Sequence, residues 1–376
     1  MPAKQEKIFF SGSTYFDALI HDFKNATTSI DIETYIFAID KLGKKILTTL
    51  QQCAARGIKV RLLVDGAGTP QWSGHFVDDL EKSGGETRIF HPFPWRLWQQ
   101  SHSFVRVPSL VKAIYLLLKI NSRNHRKTCI IDDKIVYIGS YNIDVRHLAK
   151  NKAGEDWRDT GVRLENIDVT ELEKAFESAW HHMPIQERIK QFFHHVKTKP
   201  IIRLNNTRHR RRILYKNLIK RMKNCQSRIW ITNAYFIPDN LLLKALTNAA
   251  REDIDVRILL PRKSDILFMP WASSAFYEKL IKSGVRIFEY LPSMLHAKTL
   301  ILDDWYSIGS TNLNHRSLLH DLEVDVNIRN PHSQKRIERQ FLLDLENAKE
   351  VNHYRAARRF YQRAIGKLIL YAKYLI

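Results

Sequence analysis

The stretch NHRKTCIIDDKIVYIGSYNID (residues 124–144) decides the fold, because the chain carries it a second time as LHAKTLILDDWYSIGSTNLN (295–314). Each copy holds a histidine, a lysine two residues later and an aspartate five residues after that lysine. One such short pattern is weak evidence by itself. Two copies, each reached through the same order of helices and strands, indicate that the chain is an internal duplication.

The duplication extends outward from these two stretches. SIDIETYIF (29–37) matches RIWITNAYF (228–236), and both are apolar runs typical of buried strands that follow a predicted helix. Further pairs of helices and strands match in the same order: 42–57 with 241–253, 58–65 with 254–261, and 76–90 with 276–288. Strands that alternate with helices predict an α/β fold, with a mainly parallel mixed sheet flanked by helices in each half.

The repeat also suggests where the halves begin and end. We expect a first half over residues 1–184 and a second half over 213–350. A basic linker at 185–212 would join them, and it contains Pro184 at its border, Pro200 and the run RHRRR. A basic amphipathic tail is expected at 351–376.

Composition limits the class of partner. Lys and Arg number 60 against 39 acidic residues, which gives a net charge of +21 and favours a polyanionic partner, either nucleic acid or an anionic membrane surface. The cysteines, Cys53, Cys129 and Cys225, are odd in number and lack metal-ligand spacing, so we expect reduced thiols. No run approaches the roughly 18–20 apolar residues of a membrane span. If the protein meets a membrane, we expect it to lie on the surface.

The motif residues suggest a phosphate-handling site. In an HxK pattern on a strand, both side chains face the same side, which pairs His125 with Lys127 and His296 with Lys298. The next strand of each half brings a serine and an asparagine that could bind phosphate: Ser140, Asn142, Ser310 and Asn312. Two such halves facing one another would place two imidazoles and two ammonium groups around one phosphorus atom.

This set of residues favours covalent catalysis without a metal. One histidine would attack phosphorus, and the other would protonate the leaving alcohol and deprotonate the incoming one. The lysines would do the electrostatic work of a divalent ion, so we expect neither metal nor cofactor. The aspartates that end the motifs, Asp132 and Asp303, would each orient a histidine through its second ring nitrogen.

The duplicated HxKxxxxD pattern resembles the signature of the phospholipase D superfamily, and the resemblance covers nearly the whole chain. It implies two pseudo-symmetric phospholipase D-like domains with the active site at their interface, and a phosphohistidine intermediate. It also implies that the first-motif histidine, His125, is the nucleophile and His296 the acid and base. The residues themselves leave those two roles exchangeable.

Within the superfamily the chain is most similar to bacterial cardiolipin synthases, in the segments IETYIF (32–37), VRLLVDGAG (60–68), WRDTGVRLE (157–165) and NLNHRSLLHDLEVDV (312–326). The last segment implies that Glu323, beside a matching Arg316 and Ser317, lies near a catalytic histidine or lysine. Asp159 and Glu155 are candidates for the same part in the first half. Two departures leave the substrate open: the sequence lacks the two membrane helices with which one subgroup begins, and the segment after Phe90 is long and basic.

Three basic segments without any acid favour a membrane surface. Residues 87–131 hold eight Lys or Arg with Trp95 and Trp98 among them, residues 188–223 hold thirteen, and 351–376 hold six. Basic residues interleaved with Trp and Leu suit an anionic lipid surface. We therefore expect peripheral binding at the cytoplasmic face of the inner membrane through 93–120 and 351–376. Solvated faces of ordinary helices are the alternative.

Three functions fit these observations. The first is a phosphatidyltransferase, most simply a cardiolipin synthase that uses phosphatidylglycerol as donor and acceptor, or a phospholipase D-type hydrolase that uses the same intermediate. The second is a nuclease of the superfamily, since the basic runs also suit a nucleic-acid backbone. The third is a basic membrane-binding protein with an inactive site. Two complete motifs disfavour the third, and the Trp-Leu segments disfavour the second.

Overall fold

The computed structural model describes residues 5–72, 74–99, 103, 116, 122–152, 154–181, 201–352 and 360–369. The strands of the first half are β1 (Gln5–Phe9), β2 (Ser29–Thr34), β3 (Lys59–Asp65), β4 (Glu86–Phe90), β5 (Thr128–Ile131), β6 (Ile135–Gly139) and β7 (Gly161–Glu165). They form one sheet in the order β1-β7-β6-β5-β2-β3-β4. Its longer helices are α1 (Gly12–Lys24), α2 (Lys41–Ala55), α3 (Gly74–Lys82) and α4 (Thr170–Trp180).

The second half repeats this sheet with an extra edge strand. Its strands are β8 (Ile202–Leu204), β9 (Arg228–Thr232), β10 (Asp255–Pro261), β11 (Arg286–Tyr290), β12 (Thr299–Leu302), β13 (Trp305–Gly309), β14 (Val324–Ile328) and β15 (Ala348–Glu350), in the order β15-β11-β10-β9-β12-β13-β14-β8. Its helices are α5 (Arg208–Lys223), α6 (Asn240–Arg251), α7 (Met269–Ser274), α8 (Tyr277–Ile281), α9 (His315–Leu319), α10 (Pro331–Glu346) and α11 (Phe360–Ile369).

Each sheet is mixed and flanked by helices, which confirms the predicted fold class. The parallel pairs are β2–β3–β4 in the first sheet and β9–β10–β11 in the second. The motif strands β5 and β12 each turn back into the next strand after two or three residues, so these pairs are antiparallel. A tight turn cannot make a parallel connection, which needs a crossover. The parallel part is limited to three strands in each sheet because β5 also pairs antiparallel with β2, and β12 with β9.

The two sheets pack face to face through one apolar layer. Ile130, Val136 and Ile138 of the first sheet belong to the same buried cluster as Ile301 and Val326 of the second. Each of these side chains is almost completely buried, and full burial of one stabilises by about 1.5–3 kcal/mol. The layer therefore fixes how the halves sit against each other, and with them the two motifs.

The predicted linker at 185–212 differs from the structure at its C-terminal end. Ile202–Leu204 is an edge strand paired with β14, and α5 begins at Arg208 after Thr207, whose hydroxyl accepts from the Arg210 N–H at 3.1 Å. A threonine in this position caps a helix by satisfying an otherwise free amide. Residues 201–212 thus belong to the second sheet and its helix, while 185–200 lie outside the described residues.

Candidate active site

Each HxK motif is attached to the opposite half of the molecule. The His125 N–H donates to the carbonyl oxygen of Leu322 at 2.9 Å, and the His296 N–H donates to that of Arg158 at 2.8 Å. Short parallel bridges, Asn124 with Leu322 and Arg158 with Leu295, complete both crossings. The main chain before β5 therefore pairs with the residue that precedes Glu323, and the main chain before β12 pairs with the residue that precedes Asp159.

The two motif histidines each meet a carboxylate from the opposite half. His125 Nδ1 lies 3.0 and 3.1 Å from the two carboxylate oxygens of Glu323, and His296 Nδ1 lies 2.8 Å from Oδ1 of Asp159. A carboxylate on Nδ1 holds the proton there and leaves the lone pair on Nε2 for chemistry. The geometry thus orients both imidazoles through the same ring nitrogen, Nδ1.

The motif aspartates do not take this orienting part, contrary to the prediction. The carboxylate of Asp132 accepts from the N–H groups of Thr27, Thr28 and Ser29 at 2.7–3.1 Å, which fixes the start of β2. Asp303 does the same for Gln226, Ser227 and Arg228 at the start of β9. Both lie at the far end of the motif strand from the histidine, because Thr128–Ile131 and Thr299–Leu302 intervene.

The two acids differ in charge state because their partners differ. Desolvation raises the pKa of Glu323 to about 7, although Lys127 and the hydroxyls of Ser310 and Ser317 favour its ionised form. Burial would also raise the pKa of Asp159, but the contacts with His296 and His147 outweigh it and hold that pKa well below its usual range. Asp159 is therefore ionised at neutral pH, while Glu323 is close to its titration point.

Both motif lysines are buried beside their histidines. Lys127 Nζ donates to the His125 carbonyl oxygen at 2.7 Å, and Lys298 donates in the same way to that of His296. Desolvation lowers the pKa of Lys127 to about 7 and that of Lys298 to about 8. The site therefore gathers cations that have lost hydration, which is the environment that an anionic phosphate would neutralise.

The two imidazoles are neutral in this environment. Desolvation lowers the pKa of His296 to about 4, with a further contribution from Lys298. Desolvation, Lys127 and Lys298 lower the pKa of His125 well below its ordinary value. Lys298 of the second half thus acts on a histidine of the first, which is consistent with one shared site.

The predicted supporting residues divide into two groups. Ser310 donates to Glu323, and the Asn312 side-chain oxygen is buried without a hydrogen-bond partner among the described residues. Asn142 accepts from the Ile36 N–H at 3.3 Å. Ser140 bonds to the main chain of Thr160, donating at 3.2 Å and accepting at 3.0 Å, and Ser310 makes the equivalent contacts with Val324 at 3.3 and 3.1 Å. Both hydroxyls therefore brace neighbouring strands of their sheets.

Of the two candidate acids in the first half, only Asp159 contacts a motif histidine among the described residues. Glu155 is exposed and accepts from the indole N–H of Trp157 at 2.8 Å. Trp157 itself forms part of the wall, with its ring centroid 5.7 Å from that of His296. Across the site, the Tyr35 ring lies 5.1 Å from the His125 ring.

Sequence reasoning missed a buried polar layer beneath the first motif. Glu33 forms an ion pair with Arg126 at 2.9 Å and accepts from the side chains of Asn124 and Thr128 at 3.0 and 3.1 Å. The only signal was the difference between NHRK and LHAK, which places an arginine in the first motif where the second has Ala297. This layer braces both flanks of His125.

Comparison with known proteins identifies the family of this chain. A family model described as cardiolipin synthase, PLD-like domain, matches residues 19–180 and 218–345. A cardiolipin synthase of Clostridium perfringens (strain SM101) is 30% identical over 375 residues, covering 96% of this chain and 75% of the relative. One of Staphylococcus aureus (strain Mu50) is 31% identical over 362 residues, covering 94% and 69%.

Solved structures share the fold at low sequence identity. A phosphatidylserine synthase of Haemophilus influenzae superposes with a TM-score of 0.71 at 15% identity, covering 98% of this chain and 93% of that one. A polyphosphate kinase of Porphyromonas gingivalis gives 0.60 at 12% identity, covering 98% and 53%. The family model and the curated relatives show that the chain belongs to the cardiolipin synthase family of phospholipase D-like domains and is an enzyme of the phospholipase D superfamily.

Proposed function

We propose that this enzyme is a phosphatidyltransferase that makes cardiolipin from two molecules of phosphatidylglycerol. The observation that carries the proposal is the reciprocal pairing of the two histidines, His125 with Glu323 and His296 with Asp159, across the boundary between the halves. This pairing gives one buried site two oriented imidazoles and two lysines, which suits an in-line displacement at phosphorus.

In the first step, Nε2 of His125 attacks the phosphorus atom of phosphatidylglycerol. The bond from phosphorus to the headgroup glycerol oxygen breaks, and His296 gives a proton to the departing glycerol. The bound phosphodiester supplies a negative charge that raises the pKa of His296 above its value in the empty site, so that the imidazole can carry this proton. Lys127 and Lys298 neutralise the charge on the non-bridging oxygens.

In the second step, a headgroup hydroxyl of another phosphatidylglycerol loses its proton to His296 and attacks phosphorus. The bond from phosphorus to His125 breaks, which releases cardiolipin and restores the free imidazole. Water in place of the second lipid would give phosphatidic acid. Asn142 and Asn312 are proposed to bind phosphate oxygens, while Asp132 and Asp303 support catalysis only by anchoring the strands.

The test is to incubate purified enzyme with phosphatidylglycerol vesicles and analyse the lipids by mass spectrometry. We expect cardiolipin and free glycerol in equal amounts, and none of either with His125→Asn. Phosphatidic acid alone would replace the transferase by a hydrolase. Cleavage of labelled DNA by the wild type, absent in His125→Asn, without any lipid product would replace it by a nuclease.

We further propose that the rim of the site docks on the cytoplasmic face of the inner membrane. Leu267 and Leu368 are 72% and 67% exposed, and they adjoin Ile266 and Ile369, which pack against the cluster containing Trp157. In the first half, Trp95 and Trp98 are more than half exposed. Trp95, Trp98 and Leu368 belong to the segments 93–120 and 351–376, which the sequence predicts to bind lipid. Most of 100–121, and 353–359 and 370–376, lie outside the described residues.

None of the helices within the described ranges combines the length and apolar character that a bilayer crossing requires. Surface binding can be measured by sedimentation with vesicles that contain phosphatidylglycerol. We expect Leu267→Ser with Leu368→Ser to weaken sedimentation about tenfold, since each exposed leucine could bury its side chain among lipid tails. Leu342→Ser on α10, which is 38% exposed, is the control. Equal binding by all three proteins would refute docking through this rim.

A further inference from the structure

Beside each orienting acid lies a second donor that the reaction scheme does not use. His147 Nδ1 is 2.7 Å from Oδ2 of Asp159, on the carboxylate oxygen that His296 leaves free. In the other half, the Ser317 hydroxyl donates to Oε1 of Glu323. His147 and Ser317 are 1% and 2% exposed, so solvent replaces neither contact.

The two donors occupy equivalent positions of the repeat. His147 comes seven residues after Ser140 in GSYNIDVRH, and Ser317 comes seven residues after Ser310 in GSTNLNHRS. Both also accept a hydrogen bond from the main chain of the motif asparagine. The Asn142 N–H donates to His147 Nε2 at 3.3 Å, and the Asn312 N–H donates to the Ser317 hydroxyl at 2.9 Å.

The hydrogen bond from the Asn142 N–H fixes the tautomer of His147. Because its Nε2 accepts from the Asn142 N–H, the ring proton must be on Nδ1, where it is donated to Asp159. The Ser317 hydroxyl likewise accepts from the Asn312 N–H and donates to the carboxylate of Glu323. Each donor therefore joins a main-chain amide to a carboxylate, and we call His147 and Ser317 the bridging residues.

The bridging residue and its acid compensate for each other in length. From Cα to the donating atom, histidine is one bond longer than serine. From Cα to its oxygens, aspartate is one bond shorter than glutamate. The long bridge is paired with the short acid in one half, and the short bridge with the long acid in the other, so the total reach is the same.

We propose that His147 and Ser317 are positioning residues, and that each forms with its acid a unit of fixed total length that sets the orientation of the catalytic histidine. His147 with Asp159 positions His296, and Ser317 with Glu323 positions His125. The proposal deepens the proposed function, because it rests on the two histidines being the reacting groups. A rotated carboxylate would misdirect Nε2, and such supporting contacts typically change activity by about 10–100-fold.

The experiment exchanges the two lengths within one half. His147→Ser shortens the bridge and Asp159→Glu lengthens the acid, so each single change breaks the fit and the double change restores it. We expect each single variant to lose about 10–100-fold in kcat with little change in KM, and the double variant to recover to within about fivefold of wild type. Losses that multiply in the double variant would overturn the proposal.

Two readouts separate this proposal from the proposed function. Turnover is measured both on phosphatidylglycerol vesicles and on bis(4-nitrophenyl) phosphate, so a wrong lipid assignment leaves the second assay informative. Proton NMR of enzyme labelled with ¹⁵N-histidine observes the Nδ1–H groups directly, without any activity. We expect His147→Ser to shift the His296 Nδ1–H resonance and the double variant to move it back. A His296 resonance that stays unchanged in His147→Ser, at an unchanged melting temperature, would overturn the proposal.

Discussion

The two ends of each HxKxxxxD motif lie in opposite environments, although a strand of only four residues separates them. At one end, His125 and Lys127 are buried; His125 contacts Glu323 of the other half, and Lys127 donates to the His125 carbonyl oxygen. At the other end, Asp132 lies in a turn at φ 53° and binds main-chain amides of its own half. One motif thus combines the proposed chemical function with an anchoring function, and substitutions at the two ends should have different consequences.

The largest effect is expected at the histidine end. His125→Asn and His296→Asn should each lower kcat by about 10⁴-fold or more on phosphatidylglycerol, because asparagine can neither attack phosphorus nor carry the proton. With bis(4-nitrophenyl) phosphate, whose leaving group needs no proton, His296→Asn should still accumulate a phosphorylated enzyme. Mass spectrometry after an alkaline quench, which preserves the acid-labile bond between phosphorus and nitrogen, would detect it on His125.

The exposed His332 provides the control for these two variants. His332→Asn should retain wild-type turnover and form the same intermediate. A phosphorylated His296 in the His125→Asn variant would exchange the two roles. Full turnover by His125→Asn would remove this end of the motif from the chemistry altogether.

The lysines should have the next largest effect. Lys127→Met or Lys298→Met should lower kcat/KM by about 10²–10³-fold, because each removes a charge aimed at the phosphate. Burial lowers the pKa values of these lysines to about 7 and about 8, so wild-type kcat/KM should fall as pH rises through this range and the ammonium groups lose their protons. In Lys298→Met the decline should become shallower and begin at higher pH, since only Lys127 then titrates and Lys298 no longer lowers its pKa. A profile that stays flat up to pH 10 would contradict this account.

The sequence predicted the histidine end better than the aspartate end. The HxK spacing predicted that His125 and Lys127 would be buried together, although both lie just before β5, which begins at Thr128, and not on it. It could not show that Asp159 and Glu323 cross between halves, because that depends on how the two sheets pack. Glu323 was found by resemblance, while His147 was missed, since a single histidine carries no signal until the repeats are aligned. The role of Asp132 was misjudged because its partners are main-chain amides, which any sequence possesses.

A smaller effect, on stability, is expected at the aspartate end. Asp303→Ala leaves three N–H groups of residues 226–228 without an acceptor, and we expect a loss of about 1–3 kcal/mol in the free energy of unfolding. Activity per folded molecule should stay within about tenfold of wild type. The adjacent, exposed Asp304 is the control, and Asp304→Ala should melt like the wild type. A loss of activity as large as that of His296→Asn, without a change in melting temperature, would assign Asp303 to the chemistry.

The smallest effect is the dependence of stability on pH, which should have opposite signs at the two ends. The main-chain N–H groups lower the pKa of Asp132 to about 2 against the opposing effect of burial, so its contribution is complete above pH 4 and is lost as pH falls toward 2. Desolvation raises the pKa of Glu323 to about 7, so the native state keeps a proton that the unfolded chain has released, and stability falls as pH rises from about 4.5 to 7.

Asp132→Asn should therefore melt further below wild type at pH 6 than at pH 3.5. Between pH 3.5 and pH 6, the melting temperature of Glu323→Gln should increase relative to that of wild type. Melting curves would detect both as shifts of about 1 °C per kcal/mol, since the shift becomes smaller as chain length increases. Shifts of the same sign would mean that the two carboxylates share one environment, and the comparison between the two ends would fail.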